Sequence, residues 1–214
     1  MDFNSFFGRI AKLKEIPLPA GAAHSLLASS GRMDQLKSIF PSNKPPRKAA
    51  VLLHMYPDLK GCTHFVLMQR AQYAGDHSGQ ISFPGGKPEP SDRGLWETAV
   101  REAKEEIGLD PAGVKCVRSL SELYVPPSNF LITPFLSYGH SYPVFEPDPL
   151  EVSYLMEISL SDLLDAEPVI RNQPTSYASQ VAVPAFVFGP HVVWGATAMI
   201  LSEFKALFGT RLLK

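Results

Sequence analysis

Glu102, Glu105 and Glu106 are the side chains in this sequence best placed to do chemistry together. They lie in the run Arg101-Glu102-Ala103-Lys104-Glu105-Glu106-Ile107. Offsets of i, i+3 and i+4 put all three carboxylates on one face of a helix. Clustered carboxylates repel one another and raise one another's pKa unless a cation compensates. Oxygen donors of this kind suit Mg²⁺ or Mn²⁺, and such an ion bridges protein carboxylates to phosphate oxygens. Arg101, four residues before Glu105, can fix one carboxylate by a charge-assisted contact. A charged helix of this composition is, by itself, more often a solvated face laced with ion pairs. A second feature shifts the balance. The turn Pro84-Gly85-Gly86 brings bare backbone up to the start of the helical region, where a glycine carbonyl can add a metal ligand.

The elements around this stretch follow from periodicity. Residues 94–107 read as a helix, with Ala99, Ala103 and Ile107 on a buried stripe and Gly108 as its stop. Residues 49–56 are almost continuously apolar, the mark of a strand buried on both faces. Further strands are expected at 63–70, 80–86, 115–124, 130–138, 153–158 and 181–188. A last helix is expected over about 195–208, with Ala196, Met199, Ile200, Phe204 and Leu207 on one side. Residues 159–165 read as a helical turn capped by Ser159 or Ser161. Before the strands, residues 2–15 form an amphipathic helix carrying Phe3, Phe6, Phe7, Ile10 and Leu13. A second short helix covers 33–39, and 41–48 is a linker. The pattern predicts an α/β (α+β) protein, a mixed sheet with helices on its faces. Residues 1–47 are a helical N-terminal extension and linker, and residues 48–214 form the domain.

Composition bounds the rest. The chain has 214 residues, 45% of them hydrophobic, and a formal net charge of −1. That is one domain with extensions and no basic excess toward nucleic acid. Two cysteines, Cys62 and Cys116, make no disulfide framework. Both are expected to be buried, reduced thiols, in keeping with a cytoplasmic protein. No apolar run is long enough to span a membrane.

The residues from Gly86 through Arg101 to Leu109 resemble the box of the Nudix hydrolase family. The second half of the box matches at every specified position. In the first half, Arg93 stands where the general pattern has a glutamate, and the glycine-to-arginine spacing is one residue longer. Glu89 and Asp92 are the alternatives for the missing acid's orienting role. The longer form is similar to the coenzyme A diphosphatase branch, and so is the upstream stretch carrying Arg70, Gly79, Phe83, Pro84, Gly85 and Gly86. A second arginine of that branch is absent; Gly75 stands in its place, with His77 and Lys87 as substitute positive groups.

The resemblance implies a Nudix fold, a mixed sheet sandwiched between helices. It also implies Mg²⁺- or Mn²⁺-assisted attack of water on a nucleoside diphosphate derivative, above all coenzyme A or its acyl forms. Metal ligands are then Glu102, Glu105, Glu106 and the Gly86 carbonyl. Arg101 orients, and the general base is Glu102 or Glu151, the latter in a segment similar to the family's late Glu-Val. Arg70, Tyr73, His77 and Lys87 are the substrate-binding candidates. For each a plain structural role is the competing reading: a solvent-facing arginine or lysine, a packed loop tyrosine, a histidine bonded to its own loop. ADP-ribose as substrate, or a non-catalytic nucleotide-sensing module, are the competing functions. The implied partner is a small molecule, not nucleic acid or membrane, and the N-terminal apolar stripe is either a docked helix or a homodimer contact.

Overall fold

The computed structural model describes residues 1–29, 45–72, 78–175 and 178–209. Strand β1 (Arg47–Pro57) is the axis of the sheet. It runs parallel to β7 (Phe130–Tyr138) and antiparallel to β2 (Thr63–Arg70), with Leu53 opposite Leu136 and Met55 opposite Phe65. The sheet order is β3 (Ile81–Ser82), β2, β1, β7, β5 (Lys115–Ser119). Three further strands pair with this path: β4 (Gly85–Gly86) with β1, β6 (Leu123–Val125) with β7, and β8 (Val152–Ser159) with β2. The expected mixed sheet is therefore present.

Alternation along β1 and β2 sends successive side chains to opposite faces, and both faces are covered. Ala50, Leu52 and Tyr56, with Val66 and Met68, pack against Ala99, Ala103 and Ile107 of helix α4 (Leu95–Ile107). Leu53, Met55, Phe65 and Leu67 face the other way, toward helix α6 (Gly195–Gly209) and the N-terminal segment. In that second layer Phe204 and Leu207 are fully buried.

The N-terminal segment differs from expectation. The helix read over 2–15 is two short helices, α1 (Phe3–Phe7) and α2 (Ile10–Glu15), interrupted at Gly8, whose N–H caps α1 on the Asn4 and Phe6 carbonyls. A third helix, α3 (Ala20–Ser25), follows. The apolar stripe docks inside the chain: Phe6 and Leu13 are fully buried, and Arg118 Nη1 donates to the Leu13 and Ile16 carbonyls at 3.0 and 2.7 Å. Glu203 of α6 completes the anchorage. Its buried carboxylate accepts from the Ala20 N–H, His24 Nε2, and the N–H and Oγ of Ser121. Burial pushes this carboxyl up, but the bonds from His24 and Ser121 outweigh it and hold the group below its ordinary value. The expected helix at 33–39 and most of the linker lie outside the described residues.

Other differences have local causes. The strand read over 80–86 is split at Phe83-Pro84, so β3 pairs with β2 while β4 pairs with β1. The strand read over 115–124 turns at Leu120 and becomes β5 and β6. A second, three-stranded antiparallel sheet joins β9 (Val169–Thr175), β10 (Ala178–Phe188) and β11 (His191–Trp194). β9 was not legible because Arg171, Asn172 and Pro174 leave it without an alternating apolar face. Ser159, one of the two expected caps, accepts from the Asp162 N–H at the start of α5 (Leu160–Asp165). Both cysteines are exposed rather than buried: Cys62 ends the turn before β2, and Cys116 lies on the edge strand β5. Among the described residues no helix is long and apolar enough to cross a membrane.

Because Phe6 is fully buried among core residues contributed by α6, its truncation leaves a cavity where collapse is restricted. Phe6→Ala is expected to lower unfolding stability by about 3–5 kcal/mol, read as a lower midpoint in urea at unchanged slope.

Candidate active site

Helix α4 sets the site because its buried stripe fixes its rotation. With Ala99, Ala103 and Ile107 against the sheet, Glu102 and Glu106 fall on the border facing β4, and Glu105 points outward. Gly108 closes the helix, its N–H bonding to the Ala103 and Lys104 carbonyls.

The carboxylate row expected from spacing is divided into different environments. Glu106 is 1% exposed. Its Oε1 accepts from Arg70 Nη1 at 3.0 Å and its Oε2 from the Gly85 N–H at 2.8 Å. One carboxylate thus joins α4, the end of β2 and the glycine strap β4. Burial pushes Glu106 up to about 7, against the opposing pull of Arg70 and the Gly85 N–H. Arg70, a candidate for phosphate contact, has its guanidinium on this carboxylate.

Arg101 organises the other two. Its Nε and Nη2 meet the two oxygens of Asp92 at 3.0 and 3.1 Å, a forked contact. Nη1 donates to Glu105 at 2.8 Å, and Nη2 also reaches Glu102 at 3.1 Å and the Lys87 carbonyl at 2.9 Å. Asp92 accepts further bonds from Thr98 Oγ1 and the Glu89 N–H, both 2.9 Å. The bond from Arg101 chiefly holds Asp92 down to about 2, and Asp92 in turn raises Arg101. Of the two acids left open by the sequence, Asp92 makes the contact with Arg101; Glu89 is exposed and contributes its backbone N–H.

Glycine is required at the first strap position, and at the second it leaves room for a neighbouring side chain. Gly85 has φ +152, and a Cβ there would meet the Ala50 carbonyl and the Val51 backbone. A Cβ on Gly86 would fall on the Glu102 carboxylate. Glu102 is therefore packed directly on the strap. Burial raises its pKa, Arg101 opposes this, and Glu105 and Glu151 add repulsion. Glu151 is brought into range by the chain after α4. The Glu146 and Asp148 N–H groups bond to the Ile107 and Glu106 carbonyls, and the Glu151 carbonyl accepts from the Ala71 N–H at 2.8 Å. The Glu151 side chain is exposed and makes no hydrogen bond among the described residues.

Among the described residues no three acidic, histidine or cysteine side chains converge into a ready-made cation cage; Arg101 sits between Glu102 and Glu105 instead. The donor chemistry nevertheless fits a hard divalent ion. Glu102 is desolvated, pressed against backbone and pushed up by two neighbouring carboxylates, a repulsion that a cation relieves.

On its other side the strap borders a cavity of about 690 Å³, whose lining includes Arg70, Gly85, Gly86 and Lys87. Sequence reasoning missed this chamber and its mouth. There Arg47 and Lys87 approach the Phe130 ring at 4.2 and 5.8 Å from its centroid. The missed residues are scattered along the chain. Tyr73 and His77 lie outside the described residues. His54 has a structural role: it is buried, bonds Ser137 Oγ at 2.9 Å, and is depressed to about 4 by burial.

A strap of two glycines, a following helix with an Arg-Glu…Glu-Glu face and an acid holding the arginine define one class of domain. A NUDIX domain model matches residues 45–170, more than half of the chain, and the chain belongs to the NUDIX family. Nudix hydrolase 22, chloroplastic, of Arabidopsis thaliana is 32% identical over 77% of this chain and 56% of its own length. An uncharacterized Nudix hydrolase NudL of Pectobacterium atrosepticum is 32% identical over 80% of this chain and 89% of its own. The mitochondrial coenzyme A diphosphatase NUDT8 of Homo sapiens is 31% identical over 74% and 68%. The chain spans just over half the length of the two plant relatives it matches, 56% and 58%. Among solved structures, a Nudix hydrolase from M. smegmatis superposes with TM-score 0.54 at 16% identity, covering 78% of this chain and 89% of that one. The MutT protein of Methanosarcina mazei Go1 gives 0.52 at 17% identity, covering 79% and 99%. These two share the fold.

The Asp92–Arg101 contact has a pH signature. A carboxyl held below its unfolded value adds stability that is present above that value and is lost as pH falls through the folded value. Asp92→Asn should therefore lower the thermal midpoint at pH 6. The gap to wild type should close as pH falls from about 4 toward about 2; a gap that stays constant across this range would contradict the assigned contact.

Proposed function

We propose that this chain hydrolyses the diphosphate linkage of coenzyme A or its acyl derivatives, giving 3′,5′-ADP and a 4′-phosphopantetheine species, with Mg²⁺ or Mn²⁺ as cofactor. The observation carrying this reading is the Arg101 clamp. It gathers Asp92, Glu102 and Glu105 beside a glycine strap that also forms part of the chamber wall. Likeness to a relative named as a coenzyme A diphosphatase supports the choice of substrate.

In this reading Glu102 and Glu105, with the Gly86 backbone, would hold the cation, which neutralises charge developing on the diphosphate. Asp92 keeps Arg101 in place, so the two glutamates are presented together instead of repelling apart. Glu106 keeps α4 and the strap in register through Arg70 and the Gly85 N–H. Glu151 is the preferred acceptor of the attacking water's proton, since its side chain is exposed and uncommitted while Glu102 is bonded to Arg101. The missing methyl group at Gly86 leaves room for the Glu102 carboxylate.

The test is a turnover panel of coenzyme A, dephospho-coenzyme A and ADP-ribose, with and without Mg²⁺ or Mn²⁺. Coenzyme A is expected to be the best substrate, with no product under chelation. A clear preference for ADP-ribose would overturn the substrate assignment, and binding without metal-dependent product would make the chain a sensing module. Glu151→Gln should reduce kcat by about 10²–10⁴-fold with little change in KM. Glu102→Gln and Glu105→Gln should each lower kcat/KM steeply and raise the metal concentration needed for half activity. Near-wild-type turnover in both would remove them as ligands. Gly86→Ala should behave like Glu102→Gln while circular dichroism stays unchanged.

A further inference from the structure

The chamber behind the strap is built partly by residues outside residues 45–170, the segment that matches the family. Leu27 and Ser29 come from the end of the N-terminal segment; Val183, Trp194, Met199 and Ile200 come from the sheet and helix that follow residue 170. The β1 residues Ala49 and Val51 face it because they alternate with the side chains packed on α4. Leu27 and Met199 are almost fully buried, 1% and 2% exposed. The N-terminal wall is held by the Glu203 cluster and by Ser202 Oγ, which donates to the Ala23 carbonyl at 2.7 Å.

Polarity is distributed unevenly around this space. Arg47 and Lys87 stand at the Phe130 end, and neither pairs with a carboxylate among the described residues. The α6 end is apolar, with Thr197 Oγ1 already donating to the Ile81 carbonyl. A cationic mouth and an apolar end match an anionic amphiphile. The volume falls in the range of sites that enclose a ligand of several hundred daltons.

We infer that this chamber receives the non-nucleotide arm of the substrate, apolar end inward, and that Leu27, Ser29 and Met199 set the length of arm accepted. The inference rests on the proposed hydrolysis of acyl-coenzyme A. It assigns the N-terminal segment a direct role in specificity. Arg47 and Lys87 stay with the phosphorylated end of the arm. The same chemistry disfavours the reverse orientation, which would put a charged nucleotide in the apolar end.

The test is calorimetric binding to the full chain without divalent cation, using coenzyme A, octanoyl-coenzyme A and 3′,5′-ADP. Octanoyl-coenzyme A is expected to bind at least about tenfold tighter than coenzyme A, since burying several methylenes adds to affinity. Ser29→Trp fills the chamber from a half-buried position, and should lower octanoyl-coenzyme A affinity at least about tenfold more than coenzyme A affinity. As a readout independent of that variant, octanoyl-coenzyme A should change intrinsic fluorescence in wild type but not in Trp194→Phe, which retains Trp96. Equal affinities for the two thioester-bearing and free forms would overturn the inference while leaving hydrolysis intact. A Trp194 response to 3′,5′-ADP alone would also overturn it, by putting the nucleotide in the chamber. Tighter octanoyl binding with no metal-dependent product would uphold the chamber and sink the hydrolytic reading.

Discussion

A buried carboxylate with two donors from different parts of the chain is the constraint on which the rest depends. Glu106 ties helix α4 to the arginine ending β2 and to the first glycine of the strap. Removing one partner of a buried pair leaves the other charge uncompensated, which is far more damaging than never having built the pair. The contact therefore fixes the helix, the strap and the strand end as one unit. Glu102, four residues back on the same helix, is set against Gly86 because Glu106 is set against Gly85. The precision needed at the outward-facing carboxylates is supplied by the one that faces inward.

Arg101 plays a complementary part on the exposed side. Glu102 and Glu105 would separate if only their mutual repulsion acted, and a guanidinium fork can hold several oxygens at fixed angles where an ammonium cannot. Asp92 takes the remaining edge of the fork. The arrangement is balanced: the arginine is committed to three carboxylates and the Lys87 carbonyl, while the Glu102 carboxylate also lies against the strap. An incoming cation and an anionic substrate would meet a geometry set in advance.

Much of this was legible in the sequence, for identifiable reasons. The Ala99, Ala103 and Ile107 stripe fixed the rotation of α4, and with it the faces of all three glutamates. Residues 49–56 announced a strand buried on both sides. The residue facing Arg101 was narrowed to Glu89 or Asp92, but the choice depended on how the chain bends after Lys87, which spacing does not encode. The partner of Glu106 lies on a different strand, so the row of three looked equivalent when it is not. The chamber was invisible because Leu27, Ser82, Val183 and Met199 become neighbours only after the sheet and α6 are assembled. The N-terminal apolar stripe was recognised, but its destination was not.

That destination bears on how the chain can vary. Phe3, Phe6, Ile10, Leu13 and Ile16 belong to the same packed cluster as Phe65, Leu136 and Phe204. The stretch carrying the acidic helix is consequently not a cassette that could be lifted out and joined to another front end. A transplant would need a donor segment offering apolar bulk at matching heights, plus a group able to meet the buried acid on the final helix. Recombination at this junction is therefore filtered by shape before any question of reactivity arises.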